Sequence, residues 1–458
     1  MGGGAPFDVS AAIERDRLGR FGVQLVLISW LVTFFDGYDM NVIAFTAKQL
    51  EAGFHFGYAA FGIVTSVGIF GLLLGGVLFG YLGDRLGRRP AIIAATASFS
   101  VLTFALDFAN SYPALMALRF LGGLALGGAM PLIWALNIEF TPRRLRATVI
   151  TLIMLGYGFG VALAGPIASV IIPRFDWPGV FVFGGIASLL AALLLLAKLP
   201  ESLRLLALRG ARPDVIAKTL RRMGVEPPAD PAAARFVVTD EASARAAPFK
   251  VSMLFAGRLK LLTPLVWAAY FSSSISTFFL TSWGPLILQN MGFGAKGSAW
   301  LTFGNSLCSM SGGLALMRFT DRHGPISIAV LPIIAVPLLL VAGLTPMSLM
   351  AFLFLSLAIS VFLGGSHYGV TSVVGLFYPS HIRANGAGWA SAMAKFGSVL
   401  GPLVGGYVLA SGVPVKATYA LLAACPAAYA VAILAIGLIE RSTGAHGGRA
   451  QAVASAAE

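Results

Sequence analysis

Four ionisable side chains stand inside otherwise apolar stretches of this 458-residue chain: Asp36 and Asp39 in one run, Arg119 in a second and Lys395 in a third. Carboxylates take up and release protons, whereas a guanidinium or an ammonium holds an organic anion. A charge within hydrocarbon costs at least about 2.5–3.5 kcal/mol, so such residues are functional candidates by default. With one turn of helix between them, Asp36 and Asp39 fall on neighbouring faces. Two cysteines, Cys308 and Cys425, both lie inside apolar runs, and neither a disulfide framework nor a Cys-based metal site is expected.

The elements that must position these charges follow from composition. The chain is 57% hydrophobic and only 11% charged, far from the roughly 25% charge of a soluble domain. Runs such as Val180 to Ala197 show no alternation of polarity, which excludes a β-barrel and leaves a polytopic helical membrane protein. Twelve apolar segments are predicted, at about 21–48, 58–82, 91–108, 113–136, 147–172, 179–197, 261–289, 297–317, 326–344, 348–377, 386–410 and 416–438. They group into an N-terminal bundle at 21–197 and a C-terminal bundle at 261–438, joined by a polar loop at 198–260. Residues 1–20 and 439–458 read as cytoplasmic tails, the first with a short amphipathic lead and no secretory signal.

A net charge of +13 raises the question of nucleic acid, and the placement of the charges answers it. Alternating the segments from the inside puts 26 of the 32 Lys/Arg on one face, twelve of them in the central loop. The opposite face holds Lys48, Arg174, Lys296 and Lys416. That is positive-inside topology with both termini in the cytoplasm, and no nucleic-acid partner is implied.

An internal repeat runs through the chain. Gly80, Asp84, Arg85, Gly87, Arg88 and Arg89 fill the first basic hairpin, and Asp321, Arg322 and Gly324 echo it at an offset of 237 residues (84 to 321, 146 to 383, 160 to 397). Glu201 and Glu440 end the two halves at a similar spacing. Two homologous six-helix halves that rock about a midplane cavity are a transporter architecture. Shifting by 237 carries Asp36, Asp39 and Arg119 to Ser273, Ser276 and Ser356, so the scaffold is duplicated and the buried charges are not.

These residues resemble the major facilitator superfamily. Gly80 to Arg89 matches its loop between helices 2 and 3, Gly-x-x-x-Asp-Arg-x-Gly-Arg-Arg, whereas the second copy departs at Pro325. Arg119 to Gly123, Glu139 with Arg143 and Arg144, and Pro200-Glu201-Ser202 resemble the branch of sugar porters and organic-acid symporters. Asp36-Gly37-Tyr38-Asp39 is similar to the tetrapeptide of the aromatic acid:H⁺ symporters. The resemblance implies an all-α fold of twelve transmembrane helices in two pseudo-symmetric bundles.

It also implies roles. At about 1.5 Å per residue, Asp39 and Arg119 lie roughly 10 and 9 Å inside the outer ends of their helices, both of which the superfamily places on the central cavity. An Asp39–Arg119 pair is expected to carry the coupled proton, since Arg119 favours the ionised carboxylate while burial opposes it. Asp36 is expected to share that task, to polarise the substrate site, or to orient a kink at Gly37. An anionic substrate is expected on Arg119 and Lys395, with walls from Ser273, Ser276, His367, Tyr368 and Trp283. Trp283-Gly284-Pro285 is expected to interrupt the seventh segment as a gate. Gly80, Asp84, Arg85, Gly87, Arg88, Arg89, Glu139, Arg143, Arg144, Glu201, Asp321, Arg322 and Arg383 are expected to form a conformational latch.

The function expected is import of a small organic anion, most often an aromatic carboxylate of the benzoate or hydroxybenzoate type, with H⁺. The proton gradient is the energy source and no cofactor is required, there being no Walker loop. A monomer in a bacterial inner membrane is expected. A sugar or other metabolite symporter is the competing transporter, although Ser272 to Thr277 stands where sugar porters carry a Gln-rich motif. An enzyme would need a nucleophile with its base or a metal cluster, and no segment carries one. A nutrient sensor would need a longer tail than 439–458.

Overall fold

The computed structural model describes residues 6–14, 18–210, 212–238, 250–323, 325–373, 378–379 and 382–455. Among them, nine helical stretches are long and apolar enough to cross a bilayer. The fifth, Arg143–Lys198, contains two spans that meet at Asp176, whose φ of 55° breaks the helix. Two further helices, Leu259–Leu288 and Gly294–His323, are long enough but carry Ser, Thr, Asn and end charges that lower their apolarity. The protein therefore has twelve transmembrane helices. In order they are Arg20–Phe45, Tyr58–Leu86, Arg88–Phe108, Tyr112–Glu139, the two parts of Arg143–Lys198, Leu259–Leu288, Gly294–His323, Ile326–Leu344, Leu349–Val370, Asn385–Ala410 and Ala417–Ile439.

The chain divides into two compact units, residues 1–50 with 67–245 and residues 51–66 with 246–458. The internal packing of the two repeats at the 237-residue offset. In the first unit a side chain at Gly75 would overlap the Leu124 carbonyl, and one at Gly160 the Phe34 carbonyl. In the second, Gly312 meets the Val361 carbonyl and Gly397 the Phe271 carbonyl, the same four positions shifted. Small residues at these crossings let helix backbones touch, which is how membrane helices gain packing energy without a hydrophobic driving force.

Two local expectations are corrected. Gly37 marks no kink: the first span is helical from Arg20 to Val42, and the missing side chain makes room for the Tyr157 carbonyl of the fifth. Pro285 does not interrupt the seventh span, which runs to Leu288 before a turn at Gln289–Phe293. The amino-terminal segment is anchored on the central loop, where Phe7–Asp8 pairs in parallel with Phe236–Val237. The short helix behind it, Val9–Ile13, buries Val9 and Ile13 in a core shared with Leu203, Leu206 and Ile216 of the central loop.

Candidate functional site

Asp36 and Asp39, each 3% exposed, lie on the first span, and Arg119, 5% exposed, on the fourth. Arg119 Nη1 donates to Asp39 Oδ2 at 3.1 Å. The Thr103 side chain faces the same carboxylate. Gly68 of the second span lies against the guanidinium: a Cβ there would sit at ordinary contact distance, 3.5 Å, from its nitrogens, and a longer side chain would meet them. The bond is single rather than the two-pronged arrangement that Arg and carboxylate commonly adopt. Asp39 Oδ1, Asp36 Oδ1 and Arg119 Nε are buried with no hydrogen-bond partner among the described residues. Buried polar atoms left unpaired cost about 1–3 kcal/mol each, more when charged. Three of them within one turn and one neighbouring helix make a site with capacity left for a proton, a water or an anionic group. Tyr38, between the two aspartates, is spent on structure and donates its hydroxyl to the Val180 carbonyl at 2.9 Å.

In the second unit, Ser273 and His367 come together, with Ser273 Oγ 2.9 Å from His367 Nδ1. Ser276 is turned inward on its own helix, with its hydroxyl within bonding distance of the Ser272 and Ser273 carbonyls. Tyr368 packs beside Gly313 of the eighth span and keeps 40% of its surface exposed. Lys395 is half-buried on the eleventh span and makes no ion pair among the described residues. Trp283 is not available as a substrate wall. It is fully buried, its indole N–H donates to the Pro402 carbonyl at 2.9 Å, and Tyr58 and Phe61 pack edge-on against it.

The expected latch residues form a network at the loop-bearing end of the first unit. Gly87, at φ 114°, admits the Glu201 carboxylate. Glu201 Oε1 accepts from the backbone N–H groups of Arg88 (3.0 Å), Arg89 (3.2 Å) and Ser202 (2.8 Å), capping the third span at its positive end. Arg88 is ion-paired with Glu139, which also accepts the Ser202 hydroxyl at 2.5 Å. Arg89 donates to the Leu196 and Leu199 carbonyls at the end of the sixth span. Arg209 bridges the Asp84 and Arg85 carbonyls, and Arg85 stacks over Tyr81. Gly80 faces open space. Arg143 pairs with Glu14 at 3.4 Å. Arg144 is exposed. In the second unit Arg322 is exposed and Arg383 Nε donates to the Tyr378 carbonyl at 3.4 Å. The Asp321 side chain lies outside the described residues.

Sequence reasoning missed Ser202, Arg209 and Glu14, and also a cavity of about 100 Å³ among the seventh, eighth, tenth and twelfth spans. It is lined by hydroxyls and one amide, including Thr277, Thr302, Asn305, Ser309, Ser356 and Ser360. Applying the 237-residue shift to Gly68 gives Asn305, and that signal was present in the sequence. A larger cleft of about 730 Å³, bordered by Leu206 to Gly210 and Ala232 to Val238, holds none of the candidate residues.

Residues 29–344 match the Major Facilitator Superfamily. The chain belongs to that superfamily. It is 32% identical over 435 residues to the gallate transporter of Pseudomonas putida, covering 94% of this chain and 96% of that one. It is 30% identical over 444 residues to the 4-hydroxybenzoate transporter PcaK of the same species, covering 96% and 98%. These relatives agree with the aromatic acid:H⁺ symporter branch indicated by Asp36 to Asp39. Among solved structures, the inward-open xylose transporter XylE from E. coli superposes with a TM-score of 0.72 at 17% identity, covering 90% of this chain and 96% of that one. At that identity the likeness establishes the shared fold. This superfamily member is a multi-pass membrane transport protein, not an enzyme.

Proposed function

We propose that the protein imports small aromatic carboxylates together with protons across a bacterial inner membrane. The observation that carries this reading is the buried, singly bonded Asp39–Arg119 pair with the unpartnered Asp36 carboxylate one turn away. When Asp39 takes a proton, the pair loses its Coulomb attraction and the guanidinium becomes free to hold the substrate carboxylate. When the proton leaves, Asp39 reclaims Arg119 and the anion is displaced. The two ligands are thereby coupled through one cation. Asp36 is a second acceptor beside the first. The gallate and 4-hydroxybenzoate relatives supply the substrate class. Lys395, His367 and Ser273 are the second unit's contributions, and the network around Glu139 and Glu201 is the latch that forms in one conformation and opens in the other. The positive-inside count supports cytoplasmic termini, and the protein works as a monomer.

Uptake of radiolabelled benzoate, 4-hydroxybenzoate and 3,4,5-trihydroxybenzoate into proteoliposomes, with and without a protonophore, tests the reading. Accumulation that the protonophore abolishes is expected. Asp39→Asn should keep exchange of internal for external acid and lose accumulation. Accumulation by that variant against a gradient would remove Asp39 from coupling.

A further inference from the structure

The 100 Å³ cavity of the second unit has the chemistry and the size to read ring substituents. Its polar lining contains hydroxyl and amide groups and no charged side chain. An anion placed there would lack a counter-charge, whereas a neutral hydroxyl finds both donors and acceptors. Asn305 on the eighth span is within bonding distance of Ser356 on the tenth (3.2 Å), and its amide N–H groups have no partner among the described residues. The Thr277 hydroxyl on the seventh span is buried and also without a partner there. One turn after Ser356 the tenth span widens into a π-turn at Ser360–Gly364, and Ser360, Leu363 and Gly364 of that turn border the cavity. Such single wide turns recur at functional sites because they displace a carbonyl and shift the side chains that follow.

Volume selects what enters. A water occupies about 30 Å³ of liquid, and an apolar cavity of about 150 Å³ admits a whole benzene ring. At about 100 Å³, the cavity is of a size to take one hydroxylated edge of a ring. The position within the repeat points the same way. Ser356 and Asn305 stand where the first unit has Arg119 and Gly68. The space filled by a guanidinium in one half is left open in the other.

We propose that this cavity is a ring-hydroxyl subsite, in which Asn305, Ser356 and Thr277 hydrogen-bond the phenolic hydroxyls of the transported acid and make the protein select polyhydroxylated over unsubstituted aromatic acids. The assignment rests on the aromatic-acid reading above. It is tested by calorimetric titration of benzoate, 4-hydroxybenzoate and 3,4,5-trihydroxybenzoate into the purified full-length protein in nanodiscs. In the wild type, Kd falls with each hydroxyl, by about ten-fold or more across the series. Asn305→Leu flattens the series: trihydroxybenzoate weakens about ten-fold, 4-hydroxybenzoate less and benzoate least. Thr277→Val removes a hydroxyl that bonds nothing within the described protein, so it flattens the series in part while the melting temperature holds. This second variant keeps the test decisive if Asn305→Leu fails to fold. Equal affinities for the three acids in the wild type, or a preference that survives Thr277→Val and Asn305→Leu alike, overturns the subsite and leaves the aromatic-acid reading standing. Absence of binding by all three acids in the wild type overturns both.

Discussion

The first unit crosses its first and fourth spans with Asp39 and Arg119; the second crosses the equivalent spans with Ser276 and Ser356. Around these pairs the scaffold is the same, down to the glycines that meet the Leu124 and Val361 carbonyls. The side chains differ as a set. Where Gly68 makes space for a long guanidinium, Asn305 extends to reach a short hydroxyl, and where Asp39 reaches across to Arg119, Ser276 turns back on its own helix. A buried ion pair in one half of a duplicated membrane fold changes at least cost when both partners and their clearance change together, because removing one partner leaves the other charge uncompensated. The other half is then free to lose both charges and keep the room. One half buries an ion pair at this crossing; the other has neutral side chains at the equivalent positions, beside a cavity.

The comparison breaks most visibly at Arg119. Arg119→Met leaves Asp36 and Asp39 buried without a cation, and removing one partner of a buried pair costs about 3–5 kcal/mol. We expect uptake to fall to background and the melting temperature in detergent to drop by many degrees. The double variant Asp39→Asn/Arg119→Met is expected to recover most of the melting temperature and none of the accumulation. A single variant that melts like the wild type would show that the two residues are not held as an ion pair. The scaffold gives a smaller and symmetric effect. Gly75→Ala and Gly312→Ala each force a methyl against a backbone carbonyl, and overpacking of this kind costs about 1–3 kcal/mol. Similar losses of thermal stability in the two variants would confirm the 237-residue register; tolerance of one and not the other would break it.

Much of this was legible from spacing together with the family resemblance, which put the first and fourth spans on one cavity. A constant rise per residue set Asp39 and Arg119 at matching depth, and the pair is formed. The twelve spans followed from apolar length, and the Gly87 turn from its place in the basic hairpin. Contacts made by chain far away in sequence were not legible. Glu14 reaching Arg143, and Phe7 pairing with Phe236, depend on how the central loop folds back, which no local pattern encodes. Pro285 misled because a membrane helix tolerates proline when neighbouring groups satisfy the freed carbonyl. Trp283 misled because an aromatic ring near a cavity and an aromatic ring packed into a helix crossing have the same sequence context. Only the bond from its indole to Pro402 distinguishes them.

The smallest expected effect sharpens the comparison where the two halves come nearest to identity. Arg146 Nε donates to the Thr141 carbonyl at 3.2 Å and Arg383 Nε to the Tyr378 carbonyl at 3.4 Å, the same bond shifted by 237 residues. One exposed or half-exposed hydrogen bond contributes about 0.5–1.5 kcal/mol, and the longer one sits at the low end. Thr141, however, also donates its hydroxyl to Asn137 and lies two residues beyond Glu139, which holds Arg88 and Ser202. Arg146→Ala therefore loosens a residue close in sequence to the proposed latch, and its effect should show in the initial rate of uptake more than in melting, as a loss of about two- to five-fold for an interaction of this size. Arg383→Ala should change the rate by less than about two-fold, since its bond is longer and its guanidinium more exposed. A larger loss at Arg383 than at Arg146 would mean that the second unit, rather than the first, controls the conformational step, and the division between an ion-handling, latched half and a neutral half would have to be redrawn.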